Sequence, residues 1–310
     1  MTHTQLAIIG GGPAGMAATL VAGRARLNAL LLDANDPRNA VAHASHGFLT
    51  RDGAHASELH DIAQAQLHKY PTVRTVAERV EDVVPTDGGF RLVTTAGHER
   101  LAERVVFATG FRTDLRPVGI ENIEAVYGCT VFPCPFCDGF EFSDRRVAVF
   151  ASVAAAHMGP LLRMWSSDVI VFTNGHPLTP EDREQLDARA IPIEDAPIDR
   201  LEHREGKMSR VVLADGRSVA RDVGFLGEPH AELGTDLPAR LGVPTALHPF
   251  MGAEHYEADD FGKTAVDGVY VVGDLKRVFG GITAAAHDGY MCVAGIVNEL
   301  AHRSDAPTPS

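Results

Sequence analysis

Two cysteines set two residues apart, Cys134 and Cys137 in the stretch FPCPFCDGFE, are the side chains here whose spacing most directly suggests chemistry. The chain has four cysteines in 310 residues, which makes no disulfide framework in a protein of this size, so the pair reads as redox chemistry or metal binding. Pro135 suits the first turn of a helix and puts Cys134 at its N-cap, where the positive end of the helix favours a thiolate and lowers the thiol pKa. Cys137 falls one turn inside, on the same side. With Cys129 the pair also gives C-x4-C-x2-C, an iron–sulfur spacing that needs a later cysteine. Only Cys292 follows, within an alanine-rich helical pattern far along the chain, so a cluster conflicts with the rest of the reading. Cys129 and Cys292 are expected to be buried, inert thiols.

Three further segments must position such chemistry. In QLAIIGGGPAGMAATLVAGRARLNALLLDA the apolar run Leu6 to Ile9 is a buried strand. Gly10, Gly12 and Gly15 then form G-x-G-x-x-G opening a helix, with Pro13 and Ala14 in its first turn. The glycines serve a tight turn, close backbone approach to a pyrophosphate, and close packing of helix on strand. The next strand, Asn28 to Leu32, ends at Asp33, where a carboxylate can accept hydrogen bonds from an adenosine ribose. The second segment, RVVFATGF, is a buried strand ending in Ala108, Thr109 and Gly110. The third runs from the strand Val269 to Val272 into Gly273 and Asp274, and then through Ile282 into a C-terminal helix that carries His287 and Asp288.

Composition bounds the partners. Net charge is −13, which repels a phosphate backbone or an anionic membrane surface and points to a neutral small molecule or a protein partner. No stretch reaches the ~20 apolar residues of a membrane span. The N-terminus shows no charged leader or cleavage site, so a cytoplasmic location is expected.

Taken together, the fingerprint, the ATG strand end and the GD turn resemble the three FAD-binding signatures of the two-dinucleotide-domain flavoproteins, and thioredoxin reductase is the nearest member by length and motif order. The resemblance implies an α/β fold of two Rossmann-like domains, with a small antiparallel β layer on the FAD domain. The alternating segments RVEDVVPT and GFRLVTT, joined by Asp87-Gly88-Gly89, supply that layer. The implied organisation is an FAD-binding domain over 1–115 and 245–303, an inserted second domain over 116–244 with the Cys pair, and a disordered tail over 304–310. A homodimer is also implied. CPFC is similar to the glutaredoxin-type pair as well, but no thioredoxin-like unit of ~100 residues surrounds it.

The second domain departs from the reductase pattern. Where glycines should follow RRVAVF to hold NADPH, the chain has Ala151, Ser152, Val153, Ala154 and Ala155, and the next strand runs into Thr173-Asn174-Gly175 rather than a basic cluster. β-Branched Val153 fills the space where a pyrophosphate must touch the backbone. This combination resembles the FAD-dependent dithiol oxidases of the gliotoxin and holomycin pathways, which close a disulfide in a small natural product. The segment PRNAVAHASHGFLTRDG, similar to a loop in bacterial members of that group, marks Arg38, Asn39 and His46 as neighbours of FAD or substrate. The resemblance implies that Cys137 is the flavin-proximal sulfur and that Cys134 meets substrate. It further implies that Asp138 moves protons between thiols, with His287 and Asp288 as other candidates, and that dioxygen takes the electrons and leaves as hydrogen peroxide. Phe132, Pro133, Phe136 and Phe140 around the pair suit a hydrophobic dithiol. Two other readings share these residues: a reductase fed by a donor such as ferredoxin, and a non-catalytic flavoprotein that sequesters a dithiol.

Overall fold

Buried four-residue runs dominate the computed structural model, which describes residues 4–228, 230–249, 251–278 and 280–302. The segment 304–310, expected to be disordered, lies outside the described residues. The chain forms two compact units: Met1–Arg38, Ser57–Arg112 and Ala231–Ser310 make the first, and Asn39–Ala56 with Thr113–His230 make the second. The expected boundary at 244/245 therefore falls at 230/231. The 39–56 segment, assigned from sequence to the FAD domain, belongs to the second unit. It is held there by His43 Nε2 at 3.5 Å from Cys129 Sγ and by Val41 packed on Gly128.

In the first unit five parallel strands lie in the order Val269–Val271, Arg104–Phe107, Leu6–Ile9, Ala29–Leu32 and Val73–Val76. The three central strands are buried along their whole length, as strands covered on both faces must be. Successive side chains serve opposite faces. Leu6, Ile8, Leu31 and Val106 pack against the helices Pro13–Arg24 and Gly281–Ala301, whereas Ala7, Ile9, Leu30, Leu32 and Phe107 pack with Val83, Phe90 and Leu92 of an antiparallel layer. That layer is the expected one, Val80–Thr86, Gly89–Thr94 and Glu99–Ala102, turned at Gly88 with φ +90°. The two helices touch so closely that a Cβ on Gly289 would stand 2.0 Å from the Ala14 carbonyl oxygen.

The second unit repeats the plan. Its parallel strands run Ile193–Glu194, Val169–Phe172, Val147–Phe150, Val223–Leu226 and Val131–Phe132. Val147, Val149 and Val171 face the helices Ala155–Leu162 and Pro180–Asp187, while Ala148, Phe150 and Leu226 face the antiparallel strands Ile198–Arg204 and Lys207–Leu213. The segment SRVVLADG lies in this antiparallel layer, where it completes the strand Lys207–Leu213. Among the described residues, no helix is long and apolar enough to cross a membrane.

Candidate functional site: a dinucleotide cradle and a disulfide pair

The first unit gathers its chemistry at the C-terminal ends of its strands. Gly10 has φ +107°, and a Cβ there would lie 2.6 Å from the Ala108 carbonyl oxygen; a Cβ on Gly15 would lie 1.8 Å from the Gly10 carbonyl oxygen. These two glycines close the turn of strand on helix. Gly12, by contrast, is exposed with nothing within 4 Å of a Cβ, so the backbone there is open to a ligand. Pro13 takes the first position of the helix and no side chain caps it, which leaves its N-terminal amides for an anion. Gly11, not singled out from sequence, lets the Asp33 carboxylate lie against the turn, since a Cβ would come 2.2 Å from Asp33 Oδ2. Asp33 accepts a 3.3 Å hydrogen bond from the Asn35 amide, and its Oδ2 is 3.6 Å from His60 Nε2, so lone pairs remain for ribose hydroxyls.

Next to this turn, Ala108 is buried and Gly110 adopts φ +64°. Thr109 Oγ1 is buried with no hydrogen-bond partner among the described residues. Gly273, at φ +68°, packs on Ala14 and starts the short turn Gly273–Leu275 that carries Asp274. Burial pushes the Asp274 carboxyl up, and Arg38, 3.8 Å away, pulls it down. Arg38 also lies over the Phe111 ring at 5.9 Å. The helix Gly281–Ala301, with half-buried Ile282 in its first turn, has no side-chain cap. Open amides, an orphaned hydroxyl and a carboxylate at the second strand fit FAD, which Gly12, Asp33, Thr109 and Asp274 would hold over the turn that Gly10 and Gly15 close.

Of the acid–base candidates on the C-terminal helix, Asp288 is buried and already engaged. Arg277 donates to it at 3.2 and 3.3 Å, and Lys276 Nζ is 3.7 Å away. These contacts tie the helix to the turn after Asp274. His287 beside it is exposed.

In the second unit, Cys134 and Cys137 are joined as a disulfide with Cα atoms 5.4 Å apart. Cys134 is the N-cap, with extended backbone, of the helix Pro135–Asp138, and Pro135 is its first residue. Gly139 ends the turn against Trp165, where a Cβ would come 3.0 Å from the indole. Phe136 stacks edge-on to Trp165 at 5.6 Å yet is 62% exposed, and Phe140 is 80% exposed. Phe132 is core, packed on Phe142 and Phe225. The apolar set read from sequence thus divides into a core residue and an exposed face beside the disulfide.

Asp138 is half-buried, and that burial pushes its carboxyl up to about 6; His46 pulls it down and Glu141 pushes it further up. His46 is held between carboxylates, its Nε2 3.5 Å from Glu141 and its Nδ1 3.7 Å from Asp52. The loop expected to contact FAD or substrate therefore divides. Arg38 belongs to the first unit, Asn39 is exposed in the second with its carbonyl accepting from the Ala42 amide, and His46 joins the group around Asp138. Glu141 was absent from the sequence reading, although its spacing from Asp138, one helical turn, was visible. The other two thiols differ. Burial pushes the Cys292 thiol up, as an inert thiol requires, whereas Cys129 is half-buried beside His43, which corrects the expectation of burial.

A family profile, pyridine nucleotide-disulphide oxidoreductase, matches residues 4–159. Thioredoxin reductase sirT of Leptosphaeria maculans is 27% identical over 96% of both chains. Among solved structures, a putative thioredoxin reductase TrxB from Bacillus anthracis is 31% identical, covering 96% of this chain and 99% of its own, with a TM-score of 0.89. HlmI is also 31% identical, covering 96% of this chain and 93% of its own, with a TM-score of 0.88. With a thioredoxin reductase-like α/β fold and an FAD cradle, the chain belongs to the pyridine nucleotide-disulphide oxidoreductase family.

Proposed function

We propose that this flavoprotein is a dithiol oxidase: it closes an intramolecular disulfide in a hydrophobic small-molecule dithiol and passes the electrons to dioxygen. The observation that carries this reading is the first strand-to-helix turn of the second unit. There Val153, 85% exposed, stands where a nicotinamide dinucleotide needs bare backbone. Lacking that donor, the Cys134–Cys137 pair takes its electrons from the other side, from thiols.

A substrate thiolate attacks Cys134 Sγ, forming a mixed disulfide and releasing Cys137 as a thiolate. The second substrate thiol then attacks the substrate sulfur of that mixed disulfide, and Cys134 leaves as the cyclic product forms. Asp138, poised near pH 6, accepts a proton as the substrate thiols ionise, which suits a general base at neutral pH. The ring faces of Phe136 and Phe140 offer the apolar part of the substrate a surface beside the sulfurs. FAD, when bound, supplies the two-electron acceptor that restores the disulfide and reduces dioxygen, so that dithiol plus O2 gives cyclic disulfide plus H2O2.

The test is an anaerobic visible spectrum of the yellow protein, mixed separately with a small dithiol and with NADPH, and then opened to air. Bleaching by the dithiol alone, recovery in air with repeated turnover and peroxide release is the expected result. Bleaching by NADPH overturns the proposal in favour of a disulfide reductase.

A further inference from the structure

The second unit carries a carboxylate at the turn where a dinucleotide-binding domain receives its pyrophosphate. Strands Val147–Phe150 and Val223–Leu226 are parallel neighbours in a register that pairs Phe150 with Leu226. The residues two beyond each strand end, Ser152 and Glu228, are thereby brought side by side. Gly227 makes the approach possible, because a Cβ on it would come 2.3 Å from the Ala151 Cβ. The Ser152 and Val153 amides both donate to Glu228 Oε1, at 3.0 and 3.1 Å. The helix that follows, Ala155–Leu162, has no side-chain cap, so Glu228 is the acceptor the chain itself provides at this turn.

The neighbouring strand end is committed in the same way. Asn174, at φ +51°, donates through its amide to the Val118 carbonyl at 3.2 Å and accepts from the Ile198 amide at 2.7 Å. Beside it, Thr173 Oγ1 lies 3.4 Å from Asp195, and Arg183 is paired to Asp195 at 2.8 Å. An acid thus flanks the position where an adenosine phosphate would need a cation.

We infer that Glu228 is a specificity-determining residue that occupies the phosphate-binding turn of the second unit from within and excludes nicotinamide dinucleotides. Two effects act together. The amides that would bind a phosphate oxygen are already used, and a phosphate brought to the turn meets a fixed negative charge. This deepens the proposed function, since it rests on the reading that NADPH is not the electron donor. It also differs from a packing role for Glu228, which would leave anion binding untouched on substitution.

The experiment uses the full-length FAD-bound protein and three variants: Glu228→Gln, which keeps shape and acceptor but loses charge; Glu228→Ala, which empties the turn; and Glu228→Ala with Val153→Gly. Inorganic pyrophosphate is titrated by thermal shift, NADPH by calorimetry, and dithiol turnover is followed in parallel. Wild type is expected to bind pyrophosphate weakly and NADPH not measurably. Pyrophosphate affinity should rise in the order wild type, Glu228→Gln, Glu228→Ala, with at least about a tenfold gain for the last. The double variant should bind NADPH saturably, while Glu228→Gln leaves dithiol turnover unchanged. Identical anion binding in wild type, Glu228→Gln and Glu228→Ala overturns the assignment of Glu228. Should Glu228→Ala fail to fold, the comparison of wild type with Glu228→Gln decides. Flavin reduction of the wild type by NADPH would instead strike the proposed function itself, so the two failures are told apart.

Discussion

Replacing Asp138 by asparagine should make the protein more stable and less active at once, with a pH dependence that identifies the cause. Burial pushes this carboxyl from an ordinary value of 3.8 to about 6. The ionised form is therefore the one the fold disfavours. Well below pH 3.8 the group is protonated in both folded and unfolded chains and costs nothing; the cost of holding a charge there grows as pH rises from about 4 to about 6 and stays constant above that. A shift of this size corresponds to roughly 3 kcal/mol at ~1.4 kcal/mol per pH unit. Because the side chain is only half-buried and solvent screens it, about 1–2 kcal/mol is the fitting expectation. Asp138→Asn should then raise the melting temperature by roughly 2–5 °C at pH 8, and this advantage should vanish near pH 4. Dithiol turnover should fall by about 10² to 10⁴, the range of a lost acid–base group, and lose its inflection near pH 6. Thermal unfolding by circular dichroism across pH 4–8 and oxygen uptake with a small dithiol read both effects. A variant no more stable than wild type at pH 8, or equally stabilised at pH 4 and 8, would refute the burial argument. Unchanged turnover would refute the catalytic one.

Cys134→Ser and Cys137→Ser should each lower dithiol turnover by at least about 10³ while the protein stays yellow, because the sulfurs and the cradle lie in different units. Gly10→Ala forces a side chain into φ +107° and into contact with the Ala108 carbonyl; the purified variant should show a much reduced flavin-to-protein absorbance ratio. Arg38→Met removes the cation that opposes the burial of Asp274, so Asp274 should protonate at higher pH and FAD should be lost on dialysis at a pH where wild type retains it. With the native protein, iodoacetamide should label Cys129, half-buried beside His43, and leave fully buried Cys292 intact, as mass mapping after digestion will show.

The parts that could be read from sequence are those whose chemistry is local. The glycine fingerprint, its flanking strands and the N-cap position of Cys134 each depend on residues within one turn of one another, and the structure has them as expected. The antiparallel layer was legible because alternation and a glycine turn are local as well. Contacts made by folding at a distance were not. Glu228 meets Ser152 only through the register of two strands some seventy residues apart, and no nearby spacing announces it. His46 was assigned with Arg38 as one loop, yet the chain passes from one unit to the other between Arg38 and Asn39, so neighbours in sequence serve different groups. Cys129 was judged by the average habit of free cysteines, while its exposure depends on how the 39–56 segment packs over it.

The way the chain is shared between the units also orders events during synthesis. Every residue of the second unit has been made once His230 is added, and its five parallel strands, its antiparallel layer and its Cys pair can assemble from that point. The first unit begins with Leu6 but cannot close its sheet until Val269–Val271 pairs with Arg104–Phe107, nor cover it until the helix Gly281–Ala301 packs on Pro13–Arg24. At roughly 5–20 residues per second, about 4–15 s separate the two completions. During that interval the N-terminal strands carry an unpaired edge and an uncovered apolar face, which is the state chaperones recognise. The unit that holds the flavin cradle is thus begun before the second unit and completed after it, so the cradle lacks its Gly273–Asp274 side until the second unit is already made.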